Sequence, residues 1–164
     1  MMKGRILMVA AMVAVVGGVG CSDSQLPAAP TGVAPDPALG AMLARAIQDE
    51  YRAEAIYQGV LNDFGQAPPF ASVIGAEERH SAAIARLYAF RGETAPASQW
   101  TVDGVPHFTS IPAACAAGVT AEREHIALYH QLLRADLPSD VRQVFTNNRS
   151  ASLVKHLPAF EWCS

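Results

Sequence analysis

The sequence predicts an all-α fold: a four-helix bundle with one long crossover between helices 2 and 3. Three observations predict it. Apolar residues recur at spacings of three and four in four separate stretches, with no alternating strand pattern in competition. Two of the links between those stretches are short and the middle one is long, the connectivity of a bundle with a single crossover. The apolar stripes of the first three stretches are each interrupted near the middle by a carboxylate, Glu50, Glu77 and Glu122. Such groups converging in a bundle are expensive to bury unless they bind a metal or each other.

The first helix is read from Ala41 to Phe64, with Leu43, Ile47, Glu50, Glu54, Tyr57, Leu61 and Phe64 at helical spacing and Gly65 as its stop. The second opens at Pro68-Pro69, good first-turn residues. It carries Phe70, Val73, Ile74, Glu77, His80, Ser81, Ile84, Leu87 and Tyr88 before ending near Gly92. Residues 93–109 hold Pro96, Gly104 and Pro106 and read as the crossover, with Trp100 and Phe108 capping the core. The third helix runs from about Ser110 to Ala135 on the stripe Cys115, Val119, Glu122, His125, Ile126, Tyr129 and Leu133. The fourth runs from Asp140 towards Trp162. Its face is Val141, Val144, Phe145, Asn148, Ser152, His156, Ala159 and Cys163, and Pro158 is expected to kink it.

Ahead of the bundle, residues 1–20 read as a signal peptide. Lys3 and Arg5 make a basic start, Ile6–Val16 is an apolar run too short for a comfortable membrane span, and small residues follow. Residues 21–40, with Pro27, Pro30, Pro35 and Pro37, read as a tether, and 41–164 as one domain. The chain has 12 basic and 15 acidic residues and a net charge of −3, and loses Lys3 and Arg5 with the leader. It has no basic patch, which argues against nucleic acid as a partner. With Cys21 assigned to the leader's processing site, Cys115 and Cys163 remain, and in an exported protein such a pair reads as a disulfide.

The chemistry is concentrated on the stripes. Glu77 and His80 form an E-x-x-H pair, and residues three apart share a helix face. Tyr57 follows Glu50 by seven residues and Tyr129 follows Glu122 by seven, an internal repeat that matches helix 1 to helix 3. Helix 2 then matches helix 4, His156 answers His80, and Leu153 stands where a second Glu is expected. Cys115 lies seven residues before Glu122, and Cys163 seven after His156. In antiparallel helices, setting Glu122 level with His156 sets the two cysteines level about 10 Å away. The bridge and the site thus imply the same register.

These residues carry resemblances. Gly18-Val19-Gly20-Cys21 resembles a bacterial lipobox with Gly18 in the usual Leu position. That implies lipidation at Cys21 and a membrane anchor; the other reading is ordinary cleavage after small residues. The order Glu50, Glu77 with His80, Glu122, His156 resembles the ferritin-like metal proteins, which place Glu, E-x-x-H, Glu, E-x-x-H on four successive helices. Narrower stretches, D-E-Y-R-A-E-A-I-Y-Q at 49–58, A-E-E-R-H at 76–80, A-L-Y at 127–129 and H-L-P-A-F-E at 156–161, resemble the ferritin-like family described as domain of unknown function 2202. The resemblance covers about residues 41–163. It implies metal ligands at Glu50, Glu77, His80, Glu122 and His156, with His125 and Glu54 as further candidates and Tyr57 and Tyr129 behind the carboxylates. Rubrerythrin-like proteins put an extra carboxylate near the place of His125.

Mixed carboxylate and imidazole suits iron or manganese, with zinc admissible. With Leu153 in the fourth motif, one ion or two unequal ones fit better than a symmetric pair. The expected partners are a small inorganic substrate or the metal ion, a membrane through the anchor, and a second copy in an admissible homodimer. Two other functions stay open, a metal-free cell-envelope scaffold and ferritin-type iron storage, the latter hard to reconcile with an anchor. His107 and His130 read as tolerated surface histidines. Glu78 and Glu124 read as solvated partners of Arg79 or Arg123, pairs worth little.

Overall fold

Asp36 starts the first helix. Its carboxylate accepts from the N–H groups of Ala38 and Leu39 at 2.9 and 3.3 Å, and Pro37 fills the first helical position, where a missing N–H costs nothing. The computed structural model describes residues 36–164, and α1 spans Pro37–Phe64. The helix therefore takes in the last residues of the segment read as a tether, because Asp-Pro is a start signal. The leader, Cys21 and the rest of the tether lie outside the described residues. Among the described residues no helix is long and apolar enough to cross a membrane.

The other elements follow the expected order. Helix α2 is Phe70–Phe90, α3 is Ile111–Leu132 and α4 is Ser139–Ala151. A π-turn over Ser152–His156 carries α4 into α5, Leu157–Cys163, so the three segments make one bundle helix. Ser110 caps α3 by accepting from Ala113 N–H at 3.3 Å. Gly65 and Gly92 both take φ of +73°, the left-handed region that suits glycine, where the chain leaves α1 and α2. Helix α1 packs on α2 and α3, α4 packs on α2 and α3, and α5 packs on α3. The four bundle helices thus close a ring around one interior.

That interior has two apolar ends. Leu43, Ile47, Ile84, Leu87, Tyr129, Val141 and Phe145 fill one. Val60, Phe70, Val73, Ala114, Cys115, Tyr57 and Phe160 fill the other. There the rings of Tyr57, Phe70 and Phe160 lie 5.0–5.6 Å apart. Gly118 lets α5 approach, since a Cβ there would sit 2.7 Å from the Phe160 ring. Cys115 and Cys163 form the expected disulfide, with Cα atoms 5.7 Å apart, tying α3 to α5. Glu50, Glu77 and Glu122 come from the middles of α1, α2 and α3, between the two ends.

Two expectations are corrected. Pro158 does not simply kink the fourth helix. It has no N–H, and its ring clashes with the carbonyl of the preceding turn, so the chain widens into the π-turn just before it. The buried residues then run Phe145, Asn148, Ser152, His156, Phe160. Three consecutive steps of four move the face to Phe160, leaving Ala159 only half-buried and Leu153 49% exposed. Leu153 therefore does not stand at the site; Ser152 takes the inward place. Nor does Trp100 cap the core. It is 38% exposed, with the Arg52 guanidinium 5.8 Å from its ring centre. The crossover is held instead by Gln48, which donates to Ala97 O at 2.8 Å and accepts from Gln99 N–H at 3.0 Å. Phe108 packs partly buried against the disulfide end.

Candidate metal centre

The four bundle helices bring Glu50, Glu77, His80, Glu122, His125 and His156 together. Glu50 and Glu77 are 0% exposed, and Glu122, His125 and His156 at most 5%. Glu77 is at the centre. One of its oxygens lies 2.8 Å from His80 Nδ1 and the other 2.9 Å from His156 Nδ1. His80 Nδ1 also lies 3.5 Å from Glu50, His125 Nε2 lies 3.5 Å from the other Glu50 oxygen, and His156 Nδ1 lies 3.6 Å from Glu122. The last contact puts Glu122 level with His156, the register that the disulfide implied.

The donors fall into two groups, each within 4.8 Å: Glu50, Glu77, His80 and His125; and Glu77, Glu122 and His156. Glu77 belongs to both. Each group could hold a metal ion. The two are unequal, four donors against three. His125, a further candidate in the sequence, lies within the first group. Glu54 lies in neither: it is half-buried and accepts from the Ser81 hydroxyl at 2.5 Å.

The carboxylates are held crosswise. Tyr57 of α1 donates to Glu122 of α3 at 2.6 Å, and Tyr129 of α3 donates to Glu50 of α1. Each tyrosine thus serves the glutamate of the other helix. Asn148 Nδ2 adds a bond to the same Glu50 oxygen at 2.9 Å and lies 3.1 Å from the Tyr129 hydroxyl. Asp49 lies 2.8 Å from His125 Nδ1 as an ion-pair contact, on the side of the ring away from Nε2, which faces the cluster. Sequence reasoning missed Asp49 and Asn148 as site residues. Asn148 carried a signal, a polar group on an apolar stripe. Asp49 carried only its place beside Glu50.

Even with these contacts the cluster is under-satisfied. Glu50 Oε2, Glu77 Oε1, Glu122 Oε2, His125 Nε2 and His156 Nδ1 are buried without a hydrogen-bond partner. The 2.9 Å approach of His156 to Glu77 lacks the alignment of a hydrogen bond. Buried polar atoms are normally paired, so five orphans in one place mark a site built for something more than itself. Burial pushes the Glu50 carboxyl up, with His125 and His80 opposing. For Glu77 burial is outweighed by His156 and His80, which hold it well below the usual carboxylate range. Burial also disfavours the charged rings, yet their carboxylate neighbours lift His80 and His156 to about 9 and His125 to about 10. Burial and the adjacent glutamates hold Tyr57 and Tyr129 protonated, as donors.

Outside the cluster, some surface pairs differ from expectation. Glu124 pairs across to Arg52 at 3.4 Å, and Arg123 to Glu161 at 3.0 Å, because each reaches a neighbouring helix more easily than its own sequence neighbour. His107 is more than tolerated: its Nδ1 lies 2.7 Å from Asp63. Comparison with protein-family models, curated proteins and solved structures finds no match to this chain.

Proposed function

We propose that this chain is an exported, lipid-anchored, ferritin-like metal protein. Its site works on a small inorganic molecule, dioxygen or peroxide, or handles the metal ion itself. The observation that carries the reading is Glu77, one buried carboxylate shared by two donor groups in which Glu50, Glu122, His125 and His156 each carry a buried atom without a hydrogen-bond partner. Glu50, Glu77, His80 and His125 would hold one ion; Glu77, Glu122 and His156 would hold the other. The mixed oxygen and nitrogen set suits iron or manganese, with zinc admissible. When bound, such a metal supplies a redox-active or Lewis-acidic centre with coordination left open for a small molecule.

The protein's own residues do the positioning. Tyr57, Tyr129 and Asn148 fix Glu122 and Glu50, and Asp49 fixes the ring of His125, the kind of outer support on which metal affinity depends. The apolar ends exclude water above and below the polar layer. Family membership rests on the E-x-x-H spacing, the single long crossover and the crosswise Glu–Tyr repeat. The anchor rests on the lipobox-like stretch at Cys21.

The test is metal content per chain, by elemental analysis of protein purified without a metal-affinity tag, beside Glu77→Ala. About one to two equivalents of iron or manganese, lost in the variant, is the expected result. Unchanged metal in Glu77→Ala would sink the ligand assignment. A second reading has its own observation: imidazole–carboxylate contacts of 2.8–2.9 Å neutralise charge without a cation. On that reading the bundle is a metal-free envelope scaffold. It would take up nothing after reconstitution with Fe(II), Mn(II) or Zn(II).

A further inference from the structure

The internal repeat relates α1 to α3 by Glu50 with Glu122 and Tyr57 with Tyr129. The same offset relates Asp49 to Ala121 and Ala53 to His125. Where α1 faces α3, Asp49 and His125 meet at 2.8 Å and close the seam. Their counterparts, Ala121 and Ala53, have no side chains long enough to meet. A cavity lies there, lined by Ala53, Ala121, Tyr57, Glu122, Asp49 and His125 among others, and partly open to solvent. The space free for the centre of a water molecule is about 10 Å³, room for about one such molecule. Two of its lining side chains, Glu122 and His125, are more than nine-tenths buried and carry atoms without a hydrogen-bond partner, Oε2 and Nε2.

We infer that the Ala53–Ala121 gap is the port to the site, admitting a molecule no bulkier than dioxygen, peroxide or azide. The repeat is broken there so that one side of the seam is plugged by an ion pair and the other left open. The gap reaches Glu122 of the three-donor group, the one with more coordination left to a guest, and also His125 of the four-donor group. Ala53 and Ala121 set the size limit, and Arg52, paired with Glu124 across the seam at 3.4 Å, also lines the cavity. This inference rests on the metal reading above.

The experiment uses iron-loaded protein in the ferric state with azide as probe, its association followed by stopped-flow absorption. Metal content is measured in parallel. The Ala53→Leu/Ala121→Leu double variant is expected to keep its iron and bind azide at least tenfold more slowly. Ala127→Leu, an exposed alanine of α3 that does not line the cavity, is expected to bind at the wild-type rate. If the double variant fails to fold or load, Ala121→Val replaces it under the same criteria. Full iron with an unchanged azide rate would overturn the port while leaving the metal reading intact. Absence of iron in the wild-type chain would overturn the metal reading and the port with it.

Discussion

The two donor groups share Glu77 but are built differently. Around Glu50, the four-donor group is braced on several sides. Tyr129 and Asn148 hold the carboxylate, and Asp49 holds the His125 ring. Around Glu122, the three-donor group has one such brace, Tyr57. A near-repeat in sequence has thus become one constrained position and one sparing position. The difference lies in a few side chains. His125 stands opposite Asp49 where the repeat puts Ala53 opposite Ala121, and helix 4 offers Asn148 and Ser152 rather than a second carboxylate. A full donor set holds an ion firmly, and a sparse set leaves room for something to react or exchange.

Single-donor deletions put that contrast to the harshest test. His156→Ala leaves its group two donors, so the second ion should be lost outright, with affinity falling more than about 100-fold. His80→Ala leaves three donors on the first ion, which should remain bound but weaker. Titration of metal-free protein with Fe(II) or Mn(II), read as equivalents bound, distinguishes the two. Equal losses in both variants would show that the groups act as one site.

Next in size is the brace on His125. Replacing Asp49 with Asn keeps the shape but offers a weaker acceptor to the ring, and such outer partners commonly account for about 10–100-fold in metal affinity. The loss should fall on the four-donor group alone. A variant in which both ions weaken together would mean that Asp49 supports the bundle rather than one ring. Thermal unfolding of the metal-free variant checks this directly.

Much of this was legible in the sequence, for physical reasons. Long helices announce themselves through spacing, and Glu50, Glu77 and Glu122 stood out because burying a carboxylate is costly. The disulfide was legible because Cys115 and Cys163 were the pair left once Cys21 was assigned to the leader, and its spacing then agreed with that of the site. The π-turn was not legible. A widened turn over five residues leaves no periodic trace, and it reassigned Leu153 from the site to the surface and put Phe160 inside where Ala159 was expected. The crosswise Tyr–Glu bonds were hidden too. Spacing puts Tyr57 on the face of Glu50, but only the approach of α1 to α3 decides that it reaches Glu122. Asp49 sits at the edge of its stripe, with its side chain 22% exposed, and looked like any solvated aspartate.

The smallest expected effect concerns the metal-free bundle and pH. His80 and His156 titrate at about 9 and His125 at about 10 in the folded chain, against an ordinary value of 6.5. Because the folded values are raised, the stability that these rings contribute is fully present below about pH 6.5. It is lost as pH rises through 9 and 10. Glu77 has the opposite sign: held low, it contributes above the ordinary carboxylate value and loses that contribution only in strong acid. The metal-free protein should therefore melt lower at pH 9.5 than at pH 6.5. Binding metal requires the imidazoles to be neutral, so the loaded protein should show a flatter profile over the same range. Scanning calorimetry of both forms separates the contributions. His125→Asn should then remove the uppermost part of the metal-free slope, near pH 10, which belongs to the four-donor group and its Asp49 brace. A slope that survives intact in that variant would place the proton elsewhere in the cluster.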